Sequence, residues 1–171
     1  MSIISLLLSA ALLLPSINLY AASEFSCLSE AIYFEAGDQS TEGMIGIVSV
    51  IENRVASPNF PNTICDVVFQ HGQFAFTREH PHLNSLYDLK TIGKKPIENS
   101  LEVALHALQY GYGDNTKGAL YFINLKVSHN KQWVKRLVHT VNIDDHSFYR
   151  ERPNGLAVKT PGKDSRKNTK K

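Results

Sequence analysis

Residues 27–43 read CLSEAIYFEAGDQSTEG, and a carboxylate stands in them where a core residue belongs. Leu28, Ala31, Ile32 and Glu35 recur at the spacing of one helix face. A carboxyl group on that apolar face loses hydration, which penalises its charged form and raises its pKa. The last helical turn adds to this, because the negative end of the helix dipole disfavours another negative charge. A carboxylic acid that stays protonated near neutral pH can protonate a leaving oxygen, so Glu35 is a candidate general acid. Tyr33 and Phe34 flank it and could wall a cleft. The competing reading is a glutamate at a frayed helix end that turns its head into water.

Two-carboxylate chemistry would need a partner for Glu35. Glu30 lies about 140° around the helix from it and faces elsewhere. Glu42 opens the next helix, where it suits the dipole. Asp144, Asp145 and Glu151 are distant in sequence, and nothing selects one of them. Paired-carboxylate glycosidase chemistry is therefore not established by the pattern. Metal chemistry is the other reading, since the chain has 7 histidines, with His71, His80 and His82 close together. It lacks H-E-x-x-H, however, and no acidic residue stands at a spacing that completes a zinc site.

The elements that must hold these residues can be read along the chain. A first helix is expected from Ser26, a good N-cap, with Glu30 in its first turn and a stop at Gly37. A second should start at Ser40 or Thr41, with Met44, Ile47, Val48, Ile51 and Val55 as its stripe, and end by Ser57-Pro58. Gly43 and Gly46 would let another backbone approach it closely. A short helix capped by Asn62 or Thr63 follows, then a loop-like stretch rich in aromatic and polar residues. Another helix should open with Pro96 at its first position and end at Gly111, burying Ile97, Leu101, Ala104, Leu105 and Leu108. ALYFIN reads as a strand, Trp133 falls in a short helix, and HTVNI and HSFYR read as strands around a turn at Asp144-Asp145. Helices first and a small antiparallel sheet last indicate an α+β domain, mainly helical.

The 171 residues fit one domain, with the 43% hydrophobic and 20% charged content of a globular protein. A net charge of +2 is too small to point to nucleic acid. Residues 159–171 hold six Lys/Arg against one Asp, so the body is mildly acidic and residues 153–171 read as a basic, disordered tail. That tail is either a solubilising terminus or a loose contact to an anionic polymer. Residues 1–23 are apolar, with Pro15 and small residues at Ala21–Ser23, the layout of a signal peptide. The alternative is an N-terminal membrane anchor over Ile3–Leu19, which would leave the protein membrane-associated. Either way the remainder, residues 24–152, is expected to leave the cytoplasm. Export would permit a disulfide between Cys27 and Cys65, worth roughly 3–4 kcal/mol. Two free buried thiols remain the alternative, because sequence does not show that they meet.

Read in order, these fragments closely resemble the SleB/CwlJ-type cell-wall hydrolases, the spore-cortex-lytic enzyme family. The resemblance rests on Glu35-Ala36, Glu42-Gly43, Asn53-Arg54-Val55, Pro61-Asn62-Thr63-Ile64-Cys65, Val67-Val68 and Gln73-Phe74. The later segments GALYFIN, Trp133 and HSFYR agree as well, so it spans residues 26–150. The chain departs from the family pattern at Leu125, where Pro is usual, and at Asp145, where Gly is usual.

The resemblance implies a small lysozyme-like domain that cuts peptidoglycan glycan strands at the MurNAc–GlcNAc β-1,4 bond, with Glu35 as its single catalytic glutamate. A lytic transglycosylase fits one carboxylate, because the sugar's own 6-hydroxyl replaces water. Substrate contacts would come from Gln73, Phe74, Tyr121, Phe122, His146 and Tyr149, with Phe148 as a further cleft aromatic. For each aromatic the plainer role is core packing. No cofactor or metal is implied, and the protein is expected to act as a monomer. The rival functions are a zinc-dependent N-acetylmuramoyl-L-alanine amidase and a non-catalytic wall-binding domain. In the latter, Glu35 on an apolar stripe would be an unexplained cost.

Overall fold

The computed structural model describes residues 14–79, 94–124, 126–127 and 132–153. Residues 1–13, His80, His82, Leu125 and the basic tail from Asn154 onward lie outside them. Helix α1 spans Leu14–Ala36, α2 Thr41–Ala56, α3 Ile64–Val68 and α4 Lys94–Tyr110. Strands β1 (Tyr121–Asn124), β2 (Val138–Ile143) and β3 (His146–Arg150) form one antiparallel sheet in the order β1-β3-β2. Two short 3-10 turns, Ala75–Arg78 and Trp133–Arg136, complete the order. The α+β class expected from the sequence holds. Among the described residues no helix is long and apolar enough to cross a membrane.

Helix α1 starts at Leu14, well before the Ser26 cap that the sequence offered, and Pro15 falls in its first turn, where the missing N–H leaves no helical hydrogen bond unmade. Glu30 consequently sits mid-helix and fully buried, not in a first turn. Cys27, Leu28, Ala31, Ile32 and Ala36 form the inward face, and the Gly37 N–H reaches back to the Tyr33 carbonyl at 3.0 Å as the helix ends.

Helix α2 is the central element. Ser40 caps it, accepting from the Gly43 N–H at 3.2 Å. Its stripe of Met44, Ile47, Val48 and Ile51 packs towards α1, as expected. Its opposite side is buried too, because Val50 clusters with Phe148 of the sheet and with Ala119, just ahead of β1. A helix covered on both sides is buried nearly all round. Gly46 makes this possible: a Cβ there would lie 2.7 Å from the Phe148 ring. The close neighbour is thus a side chain of the hairpin, not the backbone that the glycine spacing led us to expect.

Thr63 caps α3, and the buried Glu24 carboxylate accepts from its first amides, Ile64 at 2.8 Å and Cys65 at 3.4 Å. Cys27 and Cys65 form a disulfide, with Cα atoms 5.2 Å apart. Helix α4 begins at Lys94, so Pro96 is inside its first turn. It turns a different face inward from the one expected. Ser100, Val103, Ala104 and Ala107 are buried, while Leu105 and Leu108 are 48% and 41% exposed. Small side chains let α4 lie close along α1, and that closeness outweighs the greater hydrophobicity of the leucines.

In the sheet, Phe122 and Val141 both pair with Phe148 and turn towards α2. The row Tyr121, Tyr149 and His139 pairs across the three strands, with Tyr149 between the other two. Asp144 takes a left-handed φ of 47° in the β2–β3 turn, and its carboxylate accepts from Ser40 N and Oγ at 3.0 and 2.6 Å. The hairpin is thereby pinned to the start of α2.

Candidate active site

Glu35 stands at the end of α1, where two hollows meet. One, of about 380 Å³, is walled by Tyr33, Phe34, Asp38, Pro96 and Asn124. The other, of about 440 Å³, is walled by Arg54, Gln73, Tyr121, Phe122, Asn124 and Trp133. Glu35 and Asn124 line both, so the two form one groove with the carboxyl group near its middle. Burial raises the Glu35 carboxyl from 4.5 to about 7, against the opposing pull of the Arg54 guanidinium. Near neutral pH a large share of it is protonated, the state a general acid needs.

Tyr33 and Phe34 do wall the groove. Phe34 stacks on Phe76 at 4.7 Å, so this wall is braced from beneath by the 3-10 turn after α3. Of the residues expected to contact substrate, Gln73, Tyr121 and Phe122 line the groove with Glu35. Tyr149 lies one step out, 6.4 Å from the Trp133 ring. Phe74 and His146 are each only 1% exposed and sit behind the wall. Phe74 packs under Arg54. His146 packs edge-on to Phe122 at 5.5 Å, and burial lowers its pKa although Asp145, Asp38 and Asp144 favour its charged form. Strand alternation explains the difference, since His146 and Phe148 point to the face opposite Tyr149. Phe148 is likewise core.

The acidic residues considered as partners for Glu35 are engaged elsewhere. Asp144 caps α2. Asp145 pairs with Lys126 at 2.7 Å and with Gln39. Glu151 accepts from the Tyr121 hydroxyl at 3.0 Å. Glu42 accepts from Asn115. Of the histidines considered as ligands, His71 is exposed in a turn, and His80 and His82 lie outside the described residues.

Two groove residues escaped the sequence reading. Asp38 follows the helix end and lies in the wall beside Glu35, its carboxylate accepting from Gln39 at 2.7 Å. Arg54 is 3% exposed. Its Nε donates to the Leu120 carbonyl at 2.8 Å, and its plane lies among Phe60, Phe74 and Tyr121, 5.3, 5.3 and 6.0 Å from the ring centres. The adjacent Asn53 donates to the Ala119 carbonyl at 3.1 Å. The Asn53-Arg54 pair therefore docks the start of β1 onto α2. Burial draws Arg54 down to about 10, which still leaves it charged.

The helices around a central buried helix, with a small sheet closing one side of the groove, define a small lysozyme-like α+β domain. The sequence profile for cell wall hydrolases matches residues 38–149, and the chain belongs to that family. The matched span begins at Asp38, downstream of Glu35.

The chain is 30% identical over 129 residues to the spore cortex-lytic enzyme of Bacillus subtilis (strain 168), covering 75% of this chain and 38% of that enzyme. It is 28% identical over 137 residues to the spore cortex-lytic enzyme of Oceanobacillus iheyensis, covering 78% and 45%. The chain thus spans less than half the length of these curated relatives. Among solved structures it resembles the catalytic domain of the germination-specific lytic transglycosylase SleB from Bacillus anthracis. The TM-score is 0.59 at 26% identity, over 75% of this chain and 94% of that one. The catalytic domain of the Bacillus cereus SleB protein shares the fold, with a TM-score of 0.56 at 23% identity over 75% and 91%.

Proposed function

We propose that this chain is an exported enzyme that degrades peptidoglycan by cutting the MurNAc–GlcNAc β-1,4 bond as a lytic transglycosylase, with Glu35 as its catalytic acid and base. The observation that carries this reading is the position of Glu35 midway along an open groove, with its carboxyl raised to about 7. Protonated Glu35 gives its proton to the bridging oxygen as the bond from C1 breaks. The resulting carboxylate takes the proton of the sugar's 6-hydroxyl as that oxygen closes on C1. The products are a 1,6-anhydro end and a free 4-hydroxyl, and Glu35 is protonated again. No water and no second carboxylate enter. The likeness to spore cortex-lytic enzymes and to a lytic transglycosylase domain supports the same substrate class.

Gln73, Tyr121, Phe122 and Tyr149 would contact the glycan, with Phe74 and His146 holding the wall from behind. Hydrolysis is a second reading, favoured by Asp38, the carboxylate that shares the groove wall with Glu35 and could activate water. Mass spectrometry of the products separates the two, since transglycosylation leaves 1,6-anhydro ends and hydrolysis leaves reducing ends. The acid assignment is tested with Glu35→Gln, which should fold and yet fail to clear purified peptidoglycan. Full clearing by that variant would remove Glu35 from the mechanism. Loss of clearing in a chelator, with Glu35→Gln still active, would favour the amidase. Residues 1–23 would direct export or tether the enzyme at the membrane. Amino-terminal sequencing of the released protein distinguishes these, Glu24 being the first residue after cleavage.

A further inference from the structure

We propose that Arg54 forms a substrate subsite of its own, donating from Nη1 to a carbonyl or carboxylate oxygen on a sugar substituent bound beside Glu35. The inference rests on the reading of this groove as a glycan-cutting site.

Arg54 is more firmly fixed than docking the sheet requires. Its Nε already holds the Leu120 carbonyl, and three aromatic rings set the plane of its guanidinium. Nη1 is buried and has no hydrogen-bond partner, and among the described residues no carboxylate pairs with the group within ion-pair distance. An orphaned donor on a buried cation is costly to keep in a fold. This one belongs to a residue that lines the same hollow as Glu35. The acid does not neutralise it while protonated, which is the state in which substrate must bind.

The chemistry of the guanidinium narrows the ligand. It donates only and never accepts, so it suits acceptor-only oxygens better than sugar hydroxyls, which do both. Peptidoglycan glycan offers two such groups, the acetamido carbonyl on every sugar and the lactyl group of MurNAc, a carboxylate where no peptide stem is attached and an amide carbonyl where one is. Beside Arg54 the groove provides a surface for the sugar ring. Tyr121 stands 6.3 Å from Trp133, which is 42% exposed. Trp133 is also the sole tryptophan of the chain, so its fluorescence reports binding at this place.

The test uses the full chain carrying Glu35→Gln, titrated by fluorescence with peptide-free GlcNAc–MurNAc oligomers. The same oligomers with the lactyl carboxyl reduced to an alcohol, and de-N-acetylated oligomers, form the other arms. Adding Arg54→Met is expected to weaken binding of the unmodified oligomers at least about tenfold, and Arg54→Lys to weaken it less. If reducing the carboxyl causes a matching loss only where Arg54 is present, the lactyl group is the partner. If de-N-acetylation does so, the acetamido carbonyl is. Binding within about twofold of the Arg54 protein by both variants, or indifference of that protein to both chemical changes, overturns the proposal.

Should Arg54→Met fail to fold, Arg54→Lys and the modified oligomers decide the matter alone. An enzyme with native Glu35 that releases 1,6-anhydro ends, yet keeps its KM on Arg54→Lys substitution, overturns the subsite and leaves the proposed function standing. Failure of the native enzyme to cut any glycan overturns both.

Discussion

Burial raises the Glu35 carboxyl to about 7, and the Arg54 guanidinium draws it partway back. The kcat/KM profile on peptidoglycan should therefore lose activity tenfold per pH unit above about 7, where the acid has given up its proton. Replacing Arg54 by Met removes a nearby positive charge, raises the Glu35 pKa and moves that falling limb to higher pH. A limb that stays in place would show that Arg54 does not act on the acid. Stability follows the same titration. The folded state holds the Glu35 proton more tightly than the unfolded chain, so this favours folding below about 4.5 and is lost as pH rises through about 7. Glu35→Gln should therefore melt increasingly above the parent from pH 4.5 to 7, with a constant difference beyond. At this scale periodicity made Glu35 visible as a carboxylate interrupting an apolar stripe, and only the ordered family resemblance gave it the role of an acid over that of a frayed helix end. Arg54 was named only within the Asn53-Arg54-Val55 motif and given no role, because nothing in that spacing shows that the start of β1 folds over it. Phe74 and His146 were placed on the wrong side of the wall, since residue type does not say which way a short segment points.

Helix α2 works as an element because it is packed from both sides, by α1 and by the hairpin. Gly46 is where the Phe148 ring of the hairpin presses against the helix. Gly46→Ala would drive a methyl group into the buried Phe148 ring, and about 1–3 kcal/mol of stability should be lost, read as a lower denaturant midpoint. Because Phe122 packs against Phe148 and also lines the groove, that variant should lose activity beyond what its stability explains. An unchanged midpoint would mean that the ring moves aside freely. The existence of the helices, the three strands and the Asp144-Asp145 turn was legible, because caps, prolines and alternation act locally, but the start of α1 at Leu14 was not, since Ser26 lies inside that helix. The buried face of α4 was not. Leu105 and Leu108 satisfy the helical period, yet Ser100, Ala104 and Ala107 won the interface by being small enough for close approach to α1. Only the neighbouring helix carries that information.

For the molecule as a whole, the Cys27–Cys65 bond resolves the alternative that the sequence left open. Cys27→Ser with Cys65→Ser should cost about 2–5 kcal/mol, measured as the drop in denaturant midpoint under oxidising conditions. The same variant should show no further loss on adding dithiothreitol, whereas the parent should fall to meet it. An unshifted parent midpoint in reductant would refute the brace. The loop this bond closes contains both Glu35 and Arg54. A chain whose thiols are still reduced, inside the cell that makes it, holds those two groups in register by packing alone. Passage into an oxidising compartment would close the loop around them. On the proposed function, in which the protein is exported to cut peptidoglycan, the brace would thus also be a form of delayed arming, with full strength arriving only once the chain has left the cell that makes it.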